Sequence, residues 1–125
     1  MRTLHTARPW LLALALAAPM AAGAAPAAGV QQDVDHLLAF IETSNCSFYR
    51  NGTRSDAKAA LAHVRMKYDY LAGRDKVASA KDFIELAASQ SSLSGKPYQV
   101  MCPGSAQVPS RAWLSEELAR WQLRR

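Results

Sequence analysis

Cysteine is scarce. The chain has two in 125 residues, and neither Cys46 nor Cys102 stands at a zinc-ligand spacing with its neighbours. A metal site would need His36, His63, Cys46 and Cys102 to converge from unrelated spacings, so no metal or other cofactor is expected. Excess charge is scarce too. Fifteen Lys and Arg against ten Asp and Glu leave +5, too little to point to nucleic acid. There is no internal repeat and no long low-complexity segment after the first thirty or so residues. The length allows one domain with one modest core.

A long, strongly apolar run is also missing, although the N-terminus comes near to one. Arg2 and Arg8 precede Trp10-Leu11-Leu12-Ala13-Leu14-Ala15-Leu16-Ala17-Ala18, and Ala22-Gly23-Ala24 supplies small residues for cleavage. That order reads as a secretion signal over residues 1–24. A spanning helix needs roughly 20 strongly apolar residues, whereas this run is rich in Ala and Gly and holds Pro19 and Pro26. No stable membrane insertion is expected after cleavage. No cysteine follows the run to take a lipid. Residues 25–30 are expected to be flexible, and 31–125 to form a single domain that is periplasmic or secreted.

In an exported chain two cysteines favour a disulfide. Cys46 opens the alternating stretch Cys46-Ser47-Phe48-Tyr49-Arg50, which runs into Asn51-Gly52, a turn pair able to take positive φ. Cys102 closes Tyr98-Gln99-Val100-Met101-Cys102. A bond between a strand's start and another's end requires antiparallel pairing, with Cys46 opposite Cys102, Phe48 opposite Val100 and Arg50 opposite Tyr98. Only Thr53-Arg54 follow the turn before Ser55, so the return strand should be a stub at best.

Helices are predicted at about 32–44, 56–73, from Ser79 onward, and after Ser110. Val34, Leu37, Leu38 and Ile41 mark the first, with Asp33, Asp35 and Glu42 facing water. Ala57, Ala60, Leu61, Val64, Tyr68 and Leu71 mark the second, capped by Ser55. Ser79 with Asp82 forms an acidic variant of the capping box before Phe83, Ile84, Leu86 and Ala87. Ser110 should cap the last, where Leu114, Leu118 and Trp121 form the stripe and Glu116 pairs with Arg120. The fold class is α+β: about four helices on a minimal two-stranded antiparallel sheet, with one disulfide.

Catalytic motifs fail on register. In the loop from Ser89 to Lys96, a Ser-x-x-Lys nucleophile would need serine where Leu93 stands. A phosphate-cradling loop would need glycine at Gln90 and a hydroxyl at Pro97. Ser91, Ser92 and Ser94 more simply satisfy backbone groups at the turn, although with Gly95 they could bind a small polar ligand. His63, Lys67 and Tyr70 share a face of the second helix at i, i+4, i+7, which offers a base, a cation and a phenol; the plainer reading is a half-exposed face. Arg50 is either a surface charge or a stem packed across the sheet. Trp113, Trp121, Phe48 and Tyr98 suit a core better than a sugar-stacking platform.

The blocks Ile41-Glu42-Thr43-Ser44-Asn45-Cys46-Ser47-Phe48-Tyr49-Arg50-Asn51-Gly52, Ala59 to Tyr68, Asp82-Phe83-Ile84-Glu85 with Ser91 to Tyr98, and Trp113-Leu114 resemble, in this order, the YfeK-like group of small secreted bacterial proteins. The resemblance implies a periplasmic single domain with helices around a small sheet. It implies no reaction, and no catalytic residue carries over. The sequence therefore leads to a non-enzymatic exported binding or interaction module of the envelope, with an envelope protein or glycan as partner. The alternative is a small envelope hydrolase or transferase using His63 and the Ser91–Ser94 loop. The two differ in whether His63 and a loop serine share one concave pocket.

Overall fold

Burial of one stripe on each helix against one face of a small sheet organises the domain. The computed structural model describes residues 3, 6, 12–15 and 26–125. The expected leader lies outside the described residues except at those first few positions. Helix α1 spans Ala28–Thr43, β1 Ser47–Arg50, β2 Thr53–Ser55, α2 Ala57–Ala72, α3 Ala80–Ala87, β3 Gln99–Met101, β4 Val108–Pro109 and α4 Ser110–Arg124. Residues 28–30, expected in a flexible segment, are helical: α1 starts four residues before the predicted position 32, and Val30, one turn before Val34, packs against the core. No helix among the described residues is long and apolar enough to cross a membrane.

The sheet has four antiparallel strands in the order β2-β1-β3-β4, not two. Asn51 (φ 50°) and Gly52 (φ 77°) take the left-handed conformations of a two-residue hairpin loop. That loop pairs Arg50 with Thr53, Tyr49 with Arg54 and Phe48 with Ser55. At the other edge Val108 pairs with Val100 and Pro109 with Gln99. Proline is tolerated there because an edge strand leaves one side of its backbone unpaired. Neither short strand announces itself in sequence: Thr53-Arg54-Ser55 and Val108-Pro109 carry no apolar alternation.

The central pairing has the expected register, with Phe48 opposite Val100 between Ser47–Met101 and Tyr49–Gln99. Cys46 and Cys102 are disulfide-bonded, their Cα atoms 4.1 Å apart. Alternation then turns Cys46, Phe48, Val100 and Tyr98 to the face that the helices cover. Leu37, Leu38, Ile41, Phe83, Ile84, Leu114, Val34 and Val100 are fully buried there, each worth about 1.5–3 kcal/mol over exposure. Leu86, placed on the apolar side of α3 by its spacing, is exposed.

Of the three expected helix caps, two shift by a residue and one stands. Asp56, not Ser55, caps α2 by accepting from the Ala59 N–H at 2.9 Å. Ser79 caps α3 as expected, accepting from Asp82 N, while the Asp82 carboxylate reaches back to Ala78 N. Ser110 is the first residue of α4 and gives no side-chain cap.

The seam between α1 and α4 is polar where water-facing acids were expected. Asp33 is buried, accepting from Trp121 Nε1 at 2.9 Å and from Arg125 at 3.1 Å. Glu117, rather than Glu116, binds Arg120, and it also bonds His36 and Arg124. Burial pushes Glu117 up, but the bonds from His36, Arg120 and Arg124 outweigh it and hold its pKa below the ordinary value. His36 lies flat on Trp121, ring centroids 4.0 Å apart. Periodicity missed the pairs that cross between the two helices, because Asp33 of α1 meets Trp121 of α4, and Glu117 of α4 meets His36 of α1, at some eighty to ninety residues' separation.

Candidate functional site

The helix-covered face of the sheet ends, away from the disulfide, in Arg50 and Tyr98. Two backbone bonds fix Tyr98: its N–H donates to Ser89 O and its carbonyl accepts from Ser110 N–H, both at 2.9 Å. Its ring is buried, and its hydroxyl reaches the edge of the sheet, where α2 crosses. One helical turn separates His63 from Lys67, so both side chains meet this end of the sheet.

The four groups form one cluster. The Arg50 guanidinium bonds His63 at Nδ1, and its Nη1 lies 2.9 Å from Nε2. His63 Nε2 lies 3.0 Å from Tyr98 Oη. Lys67 Nζ donates to Tyr98 Oη at 3.2 Å and to Gln90 O at 2.9 Å. Arginine has no acceptor, and Tyr98 Oη reaches only Nε2. With Nδ1, the nitrogen nearer Arg50, as the lone pair that accepts from the guanidinium, Nε2–H is the donor to Tyr98 Oη. Tyr98 Oη then accepts from both His63 and Lys67, and its own proton is left over.

Electrostatics agree with a neutral imidazole. Burial lowers the His63 pKa, and the Arg50 and Lys67 charges lower it further. Burial lowers Lys67 as well, helped by Arg50. Burial raises the Tyr98 phenol, against a smaller opposing pull from Arg50. Among the described residues no carboxylate bonds any member of this cluster.

Beneath the cluster lies a cavity of about 80 Å³. Phe48, Ala60, Val64, Trp113 and Leu114 give it an apolar interior; Arg50, His63 and Tyr98 stand at its polar side. Trp113 is held by Phe40, stacked at 4.4 Å, and by the edge of Phe48 at 5.7 Å. Trp113 and Trp121, which stacks on His36, are thus packed against their own fold rather than presented as a platform.

The other sequence candidates fall elsewhere. Tyr70 is exposed beneath the Arg74 guanidinium, 3.6 Å from its ring, and does not join His63 and Lys67. The cluster's phenol comes from Tyr98 instead. Ser91 is buried; its Oγ accepts from Leu93 N, Ser94 N and Asn51 Nδ2. Ser94 Oγ donates to Asn51 Oδ1 at 2.6 Å and accepts from Lys96 N. Gly95 (φ 71°) closes the same turn through its N–H to Ser91 O. Ser92 is exposed and lines a separate groove with Lys67 and Tyr70. None of these serines lines the cavity that His63 lines. Cys46 and Cys102 lie at the far end of the sheet, bonded to each other.

Periodicity could not find Arg50 and Tyr98 as site residues, because Arg50 closes β1 and Tyr98 immediately precedes β3, at the opposite end of the pairing from the cysteines. The register itself was the available signal. Pairing Cys46 with Cys102 sets Arg50 across from Tyr98 and leaves both at the open end.

A four-helix α+β domain with a disulfide-anchored sheet, and a cationic cluster over a small cavity, is the class this geometry defines. The chain belongs to the DUF5329 family, a family of unknown function whose model matches residues 28–122. It is 36% identical over 62 residues to the uncharacterized protein YfeK of Salmonella typhimurium. That alignment covers 50% of this chain and 50% of the relative, so the chain spans about half the length of the curated relative it matches. No solved structure matches this chain.

Proposed function

We propose that this protein is an exported binding module of the bacterial envelope, periplasmic or secreted, and that it holds a small ligand in the cavity between the sheet and α2. One observation carries the reading: an apolar cavity opens onto Arg50, His63 and Tyr98, a convergence of polar groups on an apolar interior that is typical of ligand sites. A hydrolase or transferase built from His63 and the serine loop is less well supported, since the loop hydroxyls serve their own turn and stand outside this cavity. A small ligand also fits better than a glycan, because Trp113 and Trp121 are already packed. The order of charged, apolar and small residues at the N-terminus supports export.

Two measurements test the proposal. Amide chemical shifts of the mature protein titrated with small fragments should move at Phe48, Val64 and Tyr98; fragments that shift only α4 would refute the assignment. Intact mass of the exported protein should begin near Ala25, and a mass retaining Trp10 to Met20 would favour an anchor.

A further inference from the structure

The cluster over the cavity consists of hydrogen-bond donors. Arg50 and Lys67 have no acceptor atoms, and His63 spends its lone pair on Arg50. In that tautomer the Tyr98 oxygen accepts a hydrogen bond from His63 Nε2–H, and it accepts another from Lys67. The donors left unspent in this arrangement are the Tyr98 O–H, the remaining N–H groups of the exposed Arg50 guanidinium and the third ammonium proton of Lys67. Two cations, a phenol and a neutral imidazole converge, and no described carboxylate answers them. Like charges at such range repel, and an anion placed among them relieves the repulsion while accepting the free protons.

We propose that the occupant is a carboxylate carrying a short apolar body: the carboxylate at Arg50 and at the Tyr98 hydroxyl, which Lys67 also reaches, the body against Phe48, Val64 and Trp113. This rests on the cavity being the binding site. The planar guanidinium fork matches a carboxylate edge. The volume sets the size of the body. An apolar cavity of about 150 Å³ admits benzene, so about 80 Å³ holds an aliphatic chain of roughly three or four carbons. The neutral His63 adds a second property. An anion beside it favours the imidazolium, so binding takes up a proton there. The charged groups facing His63 are Arg50 from β1 and Lys67 from its own helix, both cationic, and Tyr98 is the titratable group facing it from the start of β3.

The test is a titration of the full mature protein with butyrate, followed by amide shifts, beside butyramide, butylamine and inorganic phosphate. Butyrate should shift Arg50, His63, Val64 and Tyr98 saturably. Butyramide should bind at least tenfold more weakly and butylamine not at all, and phosphate should move Arg50 and His63 but not Val64. Arg50→Gln should weaken butyrate at least tenfold and leave butyramide unchanged; Lys67→Met gives an independent reading should the first variant misfold. Equal binding of butyrate and butyramide would overturn the anion assignment while sparing the cavity as a site. Phosphate binding as tightly as butyrate would overturn the apolar body. Silence of the cavity amides toward all four probes would overturn this inference together with the binding-site reading beneath it.

Discussion

Reducing the Cys46–Cys102 bond should destabilise the fold heavily and leave the cationic cluster in place. The bond spans 56 positions and so closes a ring of about 57 residues in the unfolded chain. The chain-entropy relation gives about 4 kcal/mol for a loop of that length at 25 °C. A domain of this size has a total stability of about 5–15 kcal/mol, so the reduced protein should be folded but marginal. With a urea m-value of about 1–2 kcal/mol/M, its midpoint should fall by about 2–4 M. Tryptophan fluorescence and far-UV circular dichroism, recorded in parallel with and without reductant, measure the shift. Cys46→Ala/Cys102→Ala confirms it without reductant. At a rise of about 3.3 Å per residue, Arg50 lies about 13 Å along the strand from Cys46. The central pairs Phe48–Val100 and Tyr49–Gln99 stand between. Butyrate-induced shifts at Tyr98 should therefore survive reduction wherever the protein remains folded. A midpoint that moves by less than about 0.5 M at unchanged m would refute the reasoning, because the denatured chain would then not be limited by this bond.

Glu117→Gln should cost about 1–2 kcal/mol at pH 7 in urea denaturation, the value of a charge-assisted bond reduced because Arg120 and Arg124 are half exposed. The Glu117 pKa is depressed in the folded state, so its contribution is full above the ordinary 4.5. It is lost as pH falls through the lower folded value, and an acid titration of wild type against the variant should show the two stabilities converging there. His63 behaves differently: its folded pKa lies below the ordinary 6.5, so the unfolded chain takes its proton first. Stability should fall as pH drops below about 6.5 and level out beneath the folded pKa, and His63→Asn should flatten that slope; an unchanged slope would refute the depression that burial, Arg50 and Lys67 together impose on His63. Gly52→Val should cost more than about 1 kcal/mol, since φ 77° is strained for a β-branched residue; β2 amides should lose hydrogen-exchange protection before β3 amides do.

Much of the frame was legible in order along the chain. Val34, Leu37, Leu38 and Ile41 recur at a spacing that only a helix turns to one side, and α1 buries all four. Cys46 and Cys102 restrict their strands to one direction and one register, because a disulfide tolerates little separation of its ends and a slip of one residue reverses every side chain. Asn51-Gly52 specifies its turn through backbone conformations that few residues adopt. These are local or covalent constraints, readable from residue type and spacing.

Tertiary structure alone decided where polar groups found partners. Asp33 reads as a solvent-facing acid until α4 brings Trp121 and the following Arg125 across α1, and Glu117 meets His36 only through the same packing. Thr53-Arg54-Ser55 and Val108-Pro109 become strands only because β1 and β3 offer them unpaired edges. His63 and Lys67 share a helix face with Tyr70, yet the packing of α2 on the sheet joins them to Tyr98 and Arg50 and leaves Tyr70 outside. A helical period states which side chains point the same way. Which of them meet a distant strand depends on the rotation and depth at which the helix seats, and the apolar contacts of Ala60, Val64 and Tyr68 with the rest of the core set both.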